Sequence, residues 1–254
     1  MTKQYKRSQK HVLELVSSTS YLKAINSIVS EYNCIIKKED TYYPRSEKEP
    51  SEKTIVTFCR NSGLDKESTF DFNQFEHWWP KHPAKAPTWD LISTCKIGNQ
   101  KGILLVEAKA HEKELDYKGK KLQGDANEQS KKNHKDIGKR IKETRRSFES
   151  GLRKYIKIGI ESHYQLCNRV ASAAKLASCG IPVILLYLGF TGDNGIPESS
   201  RPFVSDVHWQ RAMGACMYGV LPLNIIGKKI GMNNSNSSMT MLVKSLPIKS
   251  KTEK

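Results

Sequence analysis

Residues 88–111 of the 254-residue chain read TWDLISTCKIGNQKGILLVEAKAH. Two runs of β-branched and apolar residues flank Gly98 and Asn99, a pair that favours a two-residue turn between strands. If the turn lies at that pair, Ile97 faces Gln100 across it. The same pairing, continued along both arms, places Asp90 opposite Glu107. Directly opposed residues of an antiparallel pair have Cβ atoms about 4.5–5.5 Å apart. The sequence therefore predicts a β-hairpin on which two carboxylates face each other.

The second arm of the hairpin adds further polar groups to the same face. Successive strand residues point to opposite faces, so Glu107, Lys109 and His111 share one side. Two carboxylates held this close repel each other unless a cation joins them. Hard oxygen ligands suit Mg²⁺ or Mn²⁺, which activates water and neutralises charge that develops on a phosphate oxygen. Asp90 and Glu107 are therefore candidate metal ligands, with Lys109 as the amine beside them.

The remaining segments predict an α/β fold around this hairpin. A helix followed by a buried apolar strand, both after the hairpin, predicts a crossover that returns to a parallel position in the same sheet. The expected elements are a helix or helix pair over 11–36, a strand over 53–60, a helix over 162–179 and a buried strand over 181–190.

This order of elements, with Asp90 and then Glu107-Ala108-Lys109 closing an apolar strand, resembles the PD-(D/E)XK nuclease superfamily. The resemblance covers roughly residues 11–190 and implies a restriction-endonuclease-like α-β-β-β-α-β core, with a mixed central sheet flanked by helices. It implies metal-dependent endonuclease activity with Asp90 and Glu107 as Mg²⁺ or Mn²⁺ ligands, the carbonyl of Ala108 as a further ligand and Lys109 as the catalytic lysine. Pro87 departs from the motif, because it lies three residues before Asp90 instead of adjacent to it.

The predicted helix over 162–179 carries a polar stripe at positions i, i+3, i+4 and i+7, formed by Gln165, Asn168, Arg169 and Ser172. In the family, the helix after the catalytic strand borders the site and often adds a polar residue. The resemblance thus makes Gln165 a candidate catalytic residue and Arg169 a candidate phosphate clamp. A solvated helix face is the competing interpretation of the same stripe.

Two further residues are candidates for the site. The resemblance implies that an acid from the first helix can join it, and Glu31 is the best candidate among the acids there. His111 extends the face that carries Glu107, although a histidine at a strand end is commonly a surface residue.

The charge balance indicates a polyanionic partner. The chain has 42 Lys and Arg against 26 Asp and Glu, a formal net charge of +16. Nucleic acid is the commonest such partner, and DNA is the expected one. A basic helix is predicted over 136–158, and its cationic side chains are the candidate backbone contacts: Lys139, Arg140, Arg145, Arg146 and Arg153.

The expected organisation is one nuclease-like domain over 1–227, with a basic helical insertion at about 112–158, and a polar, loosely ordered tail over 228–254. One short strand is possible within this tail, from Met239 to Val243. No apolar run approaches the roughly 18 residues that a spanning helix needs, so no membrane partner is expected. The six cysteines form no Cys-x-x-Cys pair, which favours a reducing, cytoplasmic location over a secreted disulfide framework.

Two alternatives remain open at the level of sequence. The first is a nucleic-acid-binding protein on the same fold without catalysis, and the second is a structural or RNA-associated basic protein whose hairpin acids pair with local lysines. The sequence also leaves open whether DNA or RNA is cut, with what specificity, and whether a homodimer forms.

Overall fold

The computed structural model describes residues 7–80, 86–152, 156–232 and 235–248. Numbered in chain order, the α-helices are α1 (Arg7–Ser17), α2 (Tyr21–Val29), α3 (Ile55–Ser62), α4 (Phe72–Glu76), α5 (Glu128–Leu152), α6 (Tyr164–Ser178) and α7 (Asp206–Met217). The strands are β1 (Cys34–Ile35), β2 (Tyr42–Tyr43), β3 (Lys53–Thr54), β4 (Thr88–Trp89), β5 (Leu91–Ile97), β6 (Gln100–Lys109), β7 (Val183–Thr191), β8 (Lys229–Gly231) and β9 (Ser238–Pro247).

A mixed sheet forms the centre of this α/β fold. In the described ranges its strand order is β1-β5-β6-β7-β9-β8, with β2 also paired to β5. The β5–β6 pair is antiparallel, whereas β6–β7 and β7–β9 are parallel. The predicted crossover through the helix of residues 162–179 is confirmed, because α6 returns the chain to a β7 that runs parallel to β6.

The predicted hairpin is also confirmed. Ile97 pairs with Gln100 across the Gly98-Asn99 turn, and the ladder continues to the pair of Leu91 and Val106. Asp90 and Glu107 are the next residues beyond that last pair.

Two apolar cores cover the two faces of the sheet. Side chains of α1 and α2 pack with Leu104, Val106 and Ala108 of β6 on one face. Ile103 and Leu105 pack on the other face, with side chains of α3, α5, α6 and α7. By the alternation of the strand, Glu107 and Lys109 belong to the second face. The sheet therefore directs the predicted site residues toward α6.

The prediction of a strand over 53–60 is wrong, since only Lys53 and Thr54 are extended and helix α3 follows. Thr54 caps this helix by accepting a hydrogen bond from the Thr57 N–H at 3.3 Å. The helix ends at Gly63, whose φ of +71° suits a residue without a side chain. Its buried residues are Ile55, Phe58 and Cys59, which follow a helical spacing. The β-branched composition of this segment was therefore a weaker guide than its caps and its period.

The predicted basic helix begins earlier than residue 136. The side chain of Asn127 accepts a hydrogen bond from the Ser130 N–H at 2.8 Å and so caps α5 at Glu128. The structure describes the helix as far as Leu152, and residues 156–158 are not helical.

The expectation of a loosely ordered tail over 228–254 is wrong for residues 238–247, and the possible strand at Met239–Val243 is confirmed as part of a longer one. Residues 238–247 form β9, which lies between β7 and β8 in the sheet. Met239, Met241 and Val243 enter one core and Leu242 enters the other. The polar residues on both sides of Met239–Val243 made the strand look shorter than it is. None of the helices in the described ranges combines the length and apolar character that crossing a bilayer demands.

Candidate active site

A cluster of two acids and two cations lies where β6 ends beneath α6. Glu107 and Lys109 are 2% and 6% exposed, and Arg169 of α6 is 9% exposed. Asp90, at the start of β5, is half-buried beside them. The predicted convergence of Asp90, Glu107 and Lys109 is therefore present in the structure.

Glu107 binds a cation through each of its carboxylate oxygens. Lys109 Nζ donates to Glu107 Oε1 at 2.6 Å, and Arg169 Nε donates to Glu107 Oε2 at 2.6 Å. The guanidinium of Arg169 also lies over the Trp89 ring, 4.6 Å from its centroid. These charge-assisted bonds satisfy a carboxylate that would otherwise be buried at high cost.

Asp90 is held by the backbone of the opposite strand. The N–H of Ala108 donates to Asp90 Oδ2 at 2.7 Å. In a strand, the N–H and C=O of one residue point to the same side, so the carbonyl of Ala108 also points toward the edge just before β5 begins. The geometry thus gathers two carboxylates and one carbonyl at the end of the hairpin.

The two acids have opposite pKa shifts. Burial, followed by the nearby charge of Glu107, raises the pKa of Asp90 to about 7. Burial also acts to raise the pKa of Glu107, but Arg169 and Lys109 outweigh it and lower that pKa below its ordinary value. Glu107 is therefore the acid that is readily ionised. Asp90 is the acid whose negative charge is less well compensated by the neighbouring cations.

The residues at this position fit a divalent cation. Asp90 uses one carboxylate oxygen for Ala108 and has no recorded protein hydrogen bond to the other among the described residues. A cation there would relieve the repulsion that contributes to the raised pKa of Asp90. To bind the same cation, Glu107 would have to release one of its two cationic partners, Lys109 or Arg169. No group of three or more His, Cys, Asp or Glu side chains suited to a metal occurs in the described ranges. A cation here would therefore have two carboxylates, those of Asp90 and Glu107, with the Ala108 carbonyl as a third oxygen.

Gln165 lies near this cluster without bonding to it. It lines a small cavity together with Lys109, Tyr187 and Cys216. Tyr187 pairs with Glu107 across β6–β7, and its buried hydroxyl has no hydrogen-bond partner among the described residues. Sequence reasoning missed Tyr187, although its register opposite Glu107 follows once the parallel pairing is known.

The polar stripe of α6 faces the core and not solvent. Asn168, Arg169 and Ser172 are all buried, so the solvated-face interpretation is wrong for these three residues. Arg169, the predicted phosphate clamp, binds Glu107 through its Nε in this structure.

Glu31 lies away from the site, so its assignment there is wrong. It follows α2, on the face of the sheet opposite to Glu107, and binds Lys244 of β9. The hydrogen bond from Lys244 lowers the pKa of Glu31, which is exposed. The face on which a flanking helix packs cannot be read from spacing along the chain.

His111 is buried and turned toward a different acid. Its Nε2 lies 3.8 Å from Glu114 Oε1, and neither ring nitrogen has a hydrogen bond within the described residues. Burial lowers the pKa of His111. The ring therefore does not extend the Asp90–Glu107 pair, and it was not the surface histidine of the alternative interpretation.

The exposed cations of α5 form a straight row. Lys139 and Arg146 are exposed as predicted, whereas Arg145 is half-buried and Arg140 is half-buried and pairs with Glu143. Arg153 lies outside the described residues.

We define the α5 stripe by the exposed cations that share one helix face: Lys131, Lys135, Lys139, Lys142 and Arg146. The spacing of the stripe covers about 22 Å along the helix. Two of its members have acidic neighbours, Lys131 with Glu128 and Lys142 with Glu161.

Comparison with known proteins returns no match, since no protein-family model, no curated protein and no solved structure is significantly similar to this chain.

Proposed function

We propose that the protein is a metal-dependent endonuclease that hydrolyses phosphodiester bonds, with DNA as the expected substrate. The observation that carries the proposal is the meeting of Asp90, Glu107 and Lys109 at the end of one hairpin, beside the buried polar face of α6. The finer topology, a restriction-endonuclease-like α-β-β-β-α-β core, is part of the same proposal. The order α2, β5, β6, α6 and β7 supports it, although the predicted strand over 53–60 is absent.

Each residue of the cluster has a distinct role in this proposal. Asp90, Glu107 and the carbonyl of Ala108 would hold Mg²⁺ or Mn²⁺, which supplies an activated water and offsets charge on a phosphate oxygen. Lys109 keeps its ammonium at the site because Glu107 and Asp90 outweigh burial and raise its pKa. A fixed ammonium of this kind stabilises negative charge that develops on the phosphate during attack. The buried surroundings strengthen that interaction by excluding water.

Cleavage is expected to require a divalent cation. Purified protein incubated with plasmid, single-stranded DNA, branched DNA and RNA should cut at least one of them with Mg²⁺ or Mn²⁺, and a chelator should stop the reaction. Gel analysis of the products separates nicking from double-strand cutting and DNA from RNA. If none of these substrates is cut with either cation, the enzyme proposal fails.

The α5 stripe supports binding of a nucleic-acid backbone. Replacing Lys131, Lys135, Lys139 and Lys142 with glutamine should weaken binding of duplex DNA and flatten its dependence on salt. Each lost phosphate contact reduces the slope of log affinity against log salt by about 0.9. Fluorescence anisotropy at several salt concentrations measures this slope.

A charge-matched control comes from the opposite side of the molecule. Lys10, Lys23, Lys37 and Lys38 are exposed around α1, α2 and β1. Their replacement with glutamine changes the net charge by the same amount and should leave most of the slope in place. Equal losses in the two variants would mean that net charge, and not the α5 stripe, determines binding.

A second candidate function has a specific observation in its favour. The charge of Glu107 is already neutralised by two protein groups, Lys109 and Arg169. In a protein that binds nucleic acid on this fold without cutting it, Lys109 and Arg169 would stay paired with Glu107 at all times. Salt-sensitive binding that Mn²⁺ does not affect would favour that function over the nuclease.

A further inference from the structure

The position of Arg169 bears on when a cation can enter the site. Both oxygens of Glu107 already bind positive groups at 2.6 Å. A divalent cation shared with Asp90 would face the charges of Lys109 and Arg169 at close range. Like charges in a buried site repel strongly, so binding is favourable only if one of these groups gives up Glu107.

We propose that Arg169 is a gate for this site, which neutralises Glu107 in the cation-free protein and passes its guanidinium to a substrate phosphate when Glu107 takes up the divalent cation. This inference rests on the nuclease function proposed above. We assign Arg169 as the partner that leaves, because Lys109 lies two residues from Glu107 on the same strand face and stays beside it in either state, whereas Arg169 comes from a different element, α6.

The contacts of Arg169 suit a residue with two alternative partners. It binds Glu107 through Nε alone, and no hydrogen bond from its two terminal nitrogens to a described residue is recorded. Terminal guanidinium nitrogens form the paired hydrogen bonds that bind phosphate. The side chain rests on Trp89 and is 11% exposed, against 7% for Lys109 and 2% for Glu107, so it is the most accessible of these three groups. A phosphate that reaches the site can therefore contact Arg169 before Glu107 is released.

Coupling between the two ligands follows from this arrangement. A phosphate that attracts Arg169 lowers the cost of freeing Glu107, and a cation bound to Glu107 frees Arg169 for the phosphate. Such coupling is reciprocal, because each ligand must raise the affinity of the other by the same factor. The resting protein is then a weak binder of divalent cations that becomes a strong one at its substrate.

Calorimetric titration of the free, full-length protein with Mn²⁺ tests the gate without any measurement of cleavage. Arg169→Met keeps the apolar contact with Trp89, leaves Glu107 paired with Lys109 and removes the competing charge. We expect this variant to bind Mn²⁺ at least about tenfold more tightly than the unmodified protein, which corresponds to about 1.4 kcal/mol. Arg169→Lys should lie between the two, because it keeps a charge on a shorter donor.

Three controls assign the effect to the site. Arg60→Gln removes an exposed arginine from its ion pair with Glu76 and should leave the affinity for Mn²⁺ unchanged. Adding Asp90→Asn to Arg169→Met should abolish the gain. Dimethyl phosphate, a stable phosphodiester probe, should tighten Mn²⁺ binding by the unmodified protein and not by Arg169→Met.

The outcomes separate the gate from the nuclease. If both Arg169 variants bind Mn²⁺ no more tightly than the unmodified protein, or if dimethyl phosphate tightens binding equally in all of them, the gate is wrong even when DNA is cut. If Arg169→Met does not fold, the test is whether Arg169→Lys binds Mn²⁺ more tightly than the unmodified protein does. A gain in Mn²⁺ affinity in a protein that cuts no nucleic acid would support the gate and overturn the nuclease.

Discussion

Replacement of Glu107 with alanine is expected to destabilise the protein by roughly 3–5 kcal/mol and to abolish cleavage. The stability loss arises because Lys109 and Arg169 would remain buried without the carboxylate that both of them bind. Breaking a buried ion pair by removing one partner leaves an uncompensated charge in a region of low dielectric constant. Urea-induced unfolding near neutral pH, followed by circular dichroism, measures the difference in free energy.

Glu76→Ala is the matched control for this loss. Glu76 also pairs with an arginine, Arg60, but that arginine is 56% exposed and the pair is in contact with solvent. Removal of an exposed ion pair usually costs less than about 1 kcal/mol. Similar losses for the two variants would show that Glu107 is not the centre of a buried network.

Replacement of Asp90 with asparagine is expected to have opposite effects on activity and stability. An amide oxygen still accepts the Ala108 N–H, so the local structure is kept while the charge is removed. Cleavage should fall by roughly 10²–10³-fold or more, the effect of losing one group that stabilises transition-state charge. At pH 8, without divalent cations, the variant should gain about 2 kcal/mol in free energy of unfolding.

The sign of this gain follows from the pKa of Asp90. That pKa is about 7 in the folded protein, against an ordinary value of 3.8. Between these values the folded state retains a proton that the unfolded state has released, so the unmodified protein loses stability as the pH rises. The advantage of Asp90→Asn should thus be complete above about pH 7 and shrink toward about pH 4. Unfolding curves at pH 8 and pH 4.5 with a chelator measure it, and equal stability of the two proteins at pH 8 would contradict the buried environment of Asp90.

The hairpin and its acidic pair could be predicted because their determinants are local. A two-residue turn fixes the register, and the period of two in a strand fixes which side chains share a face. The same period placed Lys109 beside Glu107. The parallel position of β7 could be predicted from the helix and the apolar strand that follow the hairpin. A helix between two strands of one sheet usually returns the chain to a parallel position.

The features that the sequence did not reveal depend on contacts between distant segments. Arg169 and Glu107 are 62 residues apart, and no rule of spacing joins them. Glu31 was assigned to the site because it follows the first helices, but the site is on the other face of the sheet. The segment over 53–60 is a helix because Thr54 and Gly63 cap it, and the β-branched residues within it favoured the wrong period.

The late position of β9 has a consequence for how the chain folds during synthesis. β7 is buried between β6 and β9, so its second edge stays unpaired until residues 238–247 have left the ribosome. At about 5–20 residues per second, the intervening segment delays this partner by several seconds. During that interval β7 exposes a row of unpaired backbone groups flanked by apolar side chains, which is prone to pair with other chains. We expect a nascent chain stalled before residue 238 to depend on chaperones for its solubility, and one that has released β9 to be free of that dependence.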